Sequence, residues 1–254
     1  MISTIIFTFL IIYILIGTYL YVKQRNYLYF ETPISDHAFE EKIFINNGIE
    51  IKTTVLNQDN KNSIIYFGGN SEIAEYSAEC FHQFFPDHTI YLVKYRGYSG
   101  TQGLATEKNL YSDALHIFDT IKPNYKKISI IGRSLGSGIA TYLASKREIQ
   151  SLTLVTPFDS VQKVAQKKFP IYPMAILLKE KYNSIQRVKD IKAKTLIITA
   201  QYDKVVKHKH TKRLFDKFPS SQVILKMIQD TDHDSISSTK EYYVVIKSFI
   251  QTNT

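Results

Sequence analysis

Ile128-Ser129-Ile130-Ile131-Gly132-Arg133-Ser134-Leu135-Gly136-Ser137-Gly138-Ile139-Ala140 is the stretch on which the fold turns. Its first four residues read as a short, mainly apolar strand, and residues 136–140 open a helix. Gly-x-Ser-x-Gly fills the junction. A serine at such a turn is held in a strained backbone conformation, and Gly132 and Gly136 are needed because side chains there would collide across it. The helix then points its N-terminal amides and its dipole at the serine, which favours a developing oxyanion. Ser134 is therefore the candidate nucleophile. The plainer alternative is a glycine-rich turn in which Ser134 caps the helix.

Working outward, strand and helix signals alternate along most of the chain. Residues 41–46 and 49–56 flank Asn47-Gly48, a strong hairpin signal. Buried-type strands follow at 63–67, 89–94, 128–131, 152–155, 195–199 and 222–227, with helices expected at 71–85, 106–121, 136–145, 160–168, 209–218 and 240–251. A leading hairpin followed by this alternation predicts an α/β fold, a mostly parallel sheet with helices on both faces. In such sheets the chemistry gathers at the carboxyl ends of the strands.

A serine nucleophile needs a base, and the base an orienting carboxylate. Seven histidines are available. His37 falls in a linker; His82, His88 and His116 precede the nucleophile; His208 and His210 sit on a basic helix start expected to be exposed. His233, in Gln229-Asp230-Thr231-Asp232-His233-Asp234, follows the last strand, where the chain order serine, acid, histidine requires the base. Asp203 closes the strand at 195–199 through Ala200-Gln201-Tyr202 and is the first choice of acid; Asp159, after Thr156-Pro157-Phe158, is the rival. At the end of the strand at 63–67, Gly68-Gly69-Asn70-Ser71 lets the backbone approach a ligand. The amides of Asn70 and Leu135 are the candidate oxyanion donors. This chemistry calls for no metal and no organic cofactor.

Residues 1–22 are different in kind. They carry no charged side chain and supply about the twenty residues a helix needs to cross a bilayer. The basic leading region and small-residue cleavage site of a signal peptide are missing, so residues 1–22 are expected to be an uncleaved anchor and 23–40 a juxtamembrane linker. The hydrolytic domain is then 41–254, with a short cap around 157–190. Lys23 and Arg25 place that domain in the cytoplasm by the positive-inside rule. Within the cap, residues 169–178 are apolar and flanked by Lys167, Lys168, Lys179 and Lys181. They read either as a lid packed on the core or as a lip dipping into the bilayer.

Composition sets limits on the rest. Of 254 residues, 44% are hydrophobic and 22% charged, which is ordinary for a folded domain. The single cysteine, Cys80, excludes an internal disulfide framework and a thiolate metal cluster. The net charge of +9 is spread from Lys42 to Lys247 without a long basic run or a nucleic-acid-binding signature, so no nucleic-acid partner is expected.

The chain resembles the α/β-hydrolase group that includes the α/β-hydrolase domain-containing proteins 12, 13 and 17. Tyr95-Arg96-Gly97-Tyr98-Ser99-Gly100 is similar to that group's Tyr-Arg-Gly-Tyr-Gly stretch, Gly132 to Gly138 to its elbow, Thr156-Pro157-Phe158 and Tyr172-Pro173 to its cap, and Asp203-Lys204-Val205-Val206 to its acid loop. The resemblance implies the α/β-hydrolase fold, a triad of Ser134, Asp203 and His233, and hydrolysis of carboxylic esters in small molecules, lipids or acylated proteins. It also implies a lumenal or periplasmic domain, against the charge rule. Gly68 stands where the group has a histidine, Ser99 where it has a second glycine, Lys207 where proline is common, and Asp232 where glycine often precedes the base. The same triad can serve a peptidase, and an altered oxyanion loop fits a silent, anchored binding module.

Overall fold

A computed structural model of the chain describes residues 1–253. Among these residues eight strands form one sheet: β1 (Glu40–Asn46), β2 (Ile49–Leu56), β3 (Asn62–Phe67), β4 (His88–Val93), β5 (Lys127–Arg133), β6 (Ser151–Val155), β7 (Lys194–Ala200) and β8 (Val223–Ile228). Their order is β1-β2-β4-β3-β5-β6-β7-β8. β1 and β2 form the expected hairpin, and β2 runs antiparallel to β4; every later pairing is parallel. Asn47 and Gly48 both take positive φ, +51° and +74°, as a twisted two-residue turn requires.

Nine helices accompany the strands among the described residues: α1 (Ile2–Lys23), α2 (Ala78–Phe84), α3 (Glu107–Ile121), α4 (Leu135–Lys146), α5 (Val161–Lys168), α6 (Met174–Leu177), α7 (Ser184–Arg187), α8 (His208–Phe215) and α9 (Lys240–Thr252). The central strands are apolar on both faces, so each face needs its own cover. One face packs Ile65, Phe67, Ile130, Leu152 and Ile197 under α3 and α4. The other packs Ile64, Tyr66, Ile131, Leu196 and Ile198 under α2 and α9. Phe67 pairs with Gly132, and Val155 with both Arg133 and Ile198, so this register sets the ends of β3, β5, β6 and β7 side by side.

Residues 23–40 contain only a 3-10 turn at Gln24–Tyr27 before β1, yet they are seated on the domain. The Glu180 carboxylate accepts from Arg25 Nε at 2.7 Å, Tyr29 Oη at 3.3 Å and the Glu107 amide at 2.6 Å, joining this stretch to the cap and to the start of α3.

Candidate active site

The elbow forms because nothing else fits at its corners. A Cβ on Gly136 would fall inside the Phe67 carbonyl, and one on Gly132 inside the Gly136 carbonyl. Between them Ser134 takes φ +48°, ψ −113°, a strained conformation for a residue with a side chain. The Ser134 amide donates to Val155 O at 2.9 Å and the Gly136 amide to Gly68 O at 3.1 Å, so the turn is bonded to both neighbouring strand ends.

His233 and Asp203 arrive from the loops after β8 and β7. His233 Nε2 lies 2.9 Å from Ser134 Oγ, and His233 Nδ1 lies 2.9 Å from Asp203 Oδ2. The carboxylate can only accept, so Nδ1 carries the hydrogen and a neutral imidazole keeps Nε2 free to accept from the serine hydroxyl. Asp203 is itself fixed, because its Oδ1 accepts from the amides of Val205 and Val206 at 2.9 and 2.8 Å. The rival acid has other company. Asp159 Oδ1 accepts from His210 Nδ1 at 2.8 Å, and Arg213 Nη1 lies 3.5 Å from Oδ2. His210, expected to be exposed, is only 2% exposed because α8 turns His210, Thr211 and Leu214 inward.

Asn70 and Leu135 flank Ser134 at the ends of β3 and β5, and neither backbone amide donates to an acceptor among the described residues. The loop that carries Asn70 is tightly held. Tyr95 Oη donates to Gly68 O at 2.7 Å and Tyr98 Oη to Asn70 O at 2.6 Å. Arg96, between those tyrosines, makes a two-point ion pair with Asp113 on α3. The tyrosine-rich stretch after β4 thus props the neighbouring loop, and Ser99 takes a left-handed φ of +46°, a conformation that favours glycine.

Glu72 and Arg133 do not stand out in the sequence, yet they connect the whole arrangement. Glu72 Oε2 accepts from the Gly69 amide at 2.6 Å and from Arg133 Nη1 at 2.7 Å, while Oε1 accepts from Tyr66 Oη at 2.6 Å. Arg133 Nη2 donates to the carbonyls of His233 at 2.9 Å and Asp234 at 3.2 Å. Burial opposes the guanidinium charge, but Glu72, together with Tyr66 and Tyr242, holds the Arg133 pKa above its ordinary value. One ion pair therefore spans the Asn70 loop, the elbow and the His233 loop. It also lies against the glycine at position 68. A Cβ there would meet the Glu72 side chain at 3.2 Å, so Glu72 occupies the space beside the loop. Asp232 has a similar local duty. Its Oδ1 accepts from the amides of Asp234 and Ser235 and from the Ser235 hydroxyl, which lowers its pKa and stiffens the turn beside His233. The one sequence signal for the ion pair is a charged residue, Arg133, inside an otherwise uncharged elbow.

Ser134 and His233 open into a cavity of about 770 Å³. Its walls are mainly apolar: Phe158, Phe169, Met174 and Leu178 come from the cap, and Leu20 and Tyr27 from α1 and the turn that follows it. Among the described residues no group of three or more His, Cys, Asp or Glu side chains is placed to share a metal ion.

A mixed sheet of this order, with a serine elbow after β5, defines an α/β-hydrolase. The same fold is seen in an esterase of Pyrococcus furiosus, similar at a TM-score of 0.70 and 16% identity over 88% of this chain and 99% of that one. Residues 70–233 match the family model described as Serine hydrolase (FSH1), and the chain belongs to that serine hydrolase family. Among relatives, the α/β hydrolase domain-containing protein aho-3 of Caenorhabditis elegans is 28% identical over 63% of this chain and 48% of its own length. An uncharacterized membrane protein of Saccharomyces cerevisiae is 28% identical over 64% of this chain and 60% of its own. The chain thus spans about half the length of the curated relatives it matches.

Proposed function

We propose that this protein is a membrane-anchored serine hydrolase that cleaves carboxylic esters or thioesters through Ser134, His233 and Asp203. The observation that carries the reading is the unbroken hydrogen-bond chain from Ser134 Oγ through the imidazole to Asp203, both links 2.9 Å, on the floor of a mainly apolar cavity. In the first half-reaction Ser134 Oγ attacks the acyl carbon and its proton passes to His233 Nε2. Asp203 stabilises the imidazolium, and the amides of Asn70 and Leu135 hold the oxyanion. Collapse expels the alcohol or thiol, which takes the proton from Nε2. Water then gives a proton to Nε2 and attacks the acyl-serine; the acid leaves, and the serine recovers its proton.

The cavity wall of Phe169, Met174 and Leu178 suits an acyl chain in a lipid, an acylated protein or a small ester. Membrane attachment is supported by α1, which is long and apolar enough to cross a bilayer, has a mean hydropathy of 2.4 and leaves nearly all its side chains uncovered by the domain. The yeast relative's description as a membrane protein agrees.

Hydrolysis of p-nitrophenyl esters from acetate to laurate, beside aminoacyl p-nitroanilides, tests the reading in wild type and Ser134→Ala. The expected result is ester cleavage that improves with chain length and falls by at least about 10³-fold in the variant. Preference for the anilides, or activity that survives Ser134→Ala, would sink it.

A further inference from the structure

The anchor does not stand apart from the domain. Tyr13, Gly17, Leu20 and Gln24 follow one another at helical spacing, three or four residues apart, and form a stripe along α1 and its C-cap. The cap segment 169–178, a hairpin separate from β1–β2 and called the hairpin below, lies along that stripe. Tyr13 and Tyr172 stack with ring centroids 4.7 Å apart, and Gly17 packs so closely that a Cβ there would meet Tyr172 Cε1 at 3.3 Å. At the near end Lys179 Nζ lies 4.1 Å from the centroid of the Tyr21 ring.

Length makes this contact informative. Lys23 is the first charged residue, and Tyr13 lies ten positions before it, so the tip of the hairpin reaches roughly 15 Å along α1 from that charge. That depth is roughly half of a hydrocarbon core. A bilayer that meets the charge of Lys23 at its surface therefore takes the hairpin into the near leaflet beside α1.

The hairpin is built for that setting. Its outward residues, Pro170, Ile171, Pro173, Ala175 and Ile176, are all exposed and uncharged; Ile171 is 69% and Ile176 80% exposed. Irregular backbone at membrane depth must find its hydrogen bonds within the protein. Pro170 and Pro173 lack N–H groups altogether. Gln166 Nε2 donates to the carbonyls of Phe169, Pro170 and Tyr172, and Gln166 Oε1 accepts from the Met174 amide. The anchor and the turn that follows it supply others. Tyr13 Oη donates to Ile171 O at 2.9 Å, Gln24 Nε2 donates to Leu177 O at 3.1 Å, and Gln24 Oε1 accepts from the Lys179 amide at 2.6 Å. Lys167, Lys168, Lys179 and Lys181 ring the base of the hairpin, at the level where an anionic lipid surface would meet them.

We infer that the hairpin 169–178 inserts into a lipid leaflet against the Tyr13–Gly17–Leu20–Gln24 stripe, so that anchor and cap form one membrane-embedded unit that walls the cavity above Ser134. The inference rests on the reading of α1 as a membrane helix. The chain has no tryptophan, so a single introduced one is an unambiguous reporter. Full-length Ile176→Trp and, separately, Phe9→Trp are reconstituted in phosphatidylcholine–phosphatidylglycerol vesicles whose acyl chains carry bromine. Both reporters show blue-shifted emission and comparable loss of intensity to bromine. Gly17→Leu, which forces α1 off Tyr172, restores the intensity of Ile176→Trp and leaves Phe9→Trp quenched. Quenching at position 9 with solvent-like emission at 176 overturns the inference while the anchor stands. Absence of quenching at both removes the anchor reading and the inference with it. Undiminished quenching at 176 in the Gly17→Leu background overturns the shared unit.

Discussion

Glu72→Gln keeps the shape of the side chain and removes only its charge, and it should disable a protein whose cavity it does not line. The carboxylate accepts three hydrogen bonds, from Tyr66, Gly69 and Arg133. An amide has one acceptor oxygen, so it either keeps Tyr66 and aims its NH₂ at two donors, or keeps those donors and loses Tyr66. Arg133 then stays charged with both side chains of the original pair only 9% exposed. Removing one partner of a buried pair costs about 3–5 kcal/mol. For a chain of this size a kcal/mol corresponds to about 2–4 °C, so Tm should fall by roughly 10 °C. With the Gly69 loop and the His233 loop both released, displacement of the reacting groups by about 1 Å lowers kcat by about 10²-fold. KM should change little. The measurements are thermal unfolding and ester kinetics in detergent micelles. Adding Arg133→Met to Glu72→Gln should recover much of the Tm, because it removes the buried guanidinium left without its counter-charge. It should not recover kcat, because Arg133→Met itself takes the donor from the His233 carbonyl. A Tm within about 2 °C of wild type, or losses that simply add in the double variant, would refute the coupling.

Two shorter predictions separate roles that the sequence leaves side by side. Asp203→Asn should lower kcat by about 10⁴-fold by favouring the wrong tautomer of His233, whereas Asp159→Asn, which affects the buried His210 contact, should lower Tm and leave kcat within about tenfold; the reverse pattern in ester kinetics would exchange the acids. Burial lowers the pKa of His88, against a smaller upward pull from Asp87. The unfolded chain then binds the proton more readily, so stability should fall as pH drops below about 6.5, and unfolding midpoints from pH 7 to 5 should decline less steeply in His88→Gln.

The strands were legible because five of them are apolar runs buried on both faces, a pattern strong enough to fix type and order. Strand ends and chain order singled out Ser134 and His233 and left Asp203 and Asp159 as rival acids; in the structure it is Asp203 that meets His233 Nδ1. The start of the helix expected at 71–85 was not legible. Glu72 folds back on the Gly69 amide, so the chain first makes a 3-10 turn at Ala74–Ser77 and α2 begins only at Ala78. His210 misled because its neighbours Lys207, Lys209 and Lys212 are charged, while the helical period turns position 210 inward. The stripe at Tyr13, Gly17, Leu20 and Gln24 left no hydropathy signal, since nearly every residue around it is apolar too. The pair Glu72–Arg133 joins residues 61 positions apart, and only the register of β3 with β5 brings them together.

The central claim is that Ser134 is the nucleophile, and covalent capture tests it most directly. Intact-protein and peptide mass spectrometry after treatment with a fluorophosphonate should find one phosphonyl group per chain, on Ser134, with none in Ser134→Ala and slow incorporation in His233→Ala. A wild-type protein that stays unmodified, or one that is modified equally after Ser134→Ala, would contradict the account.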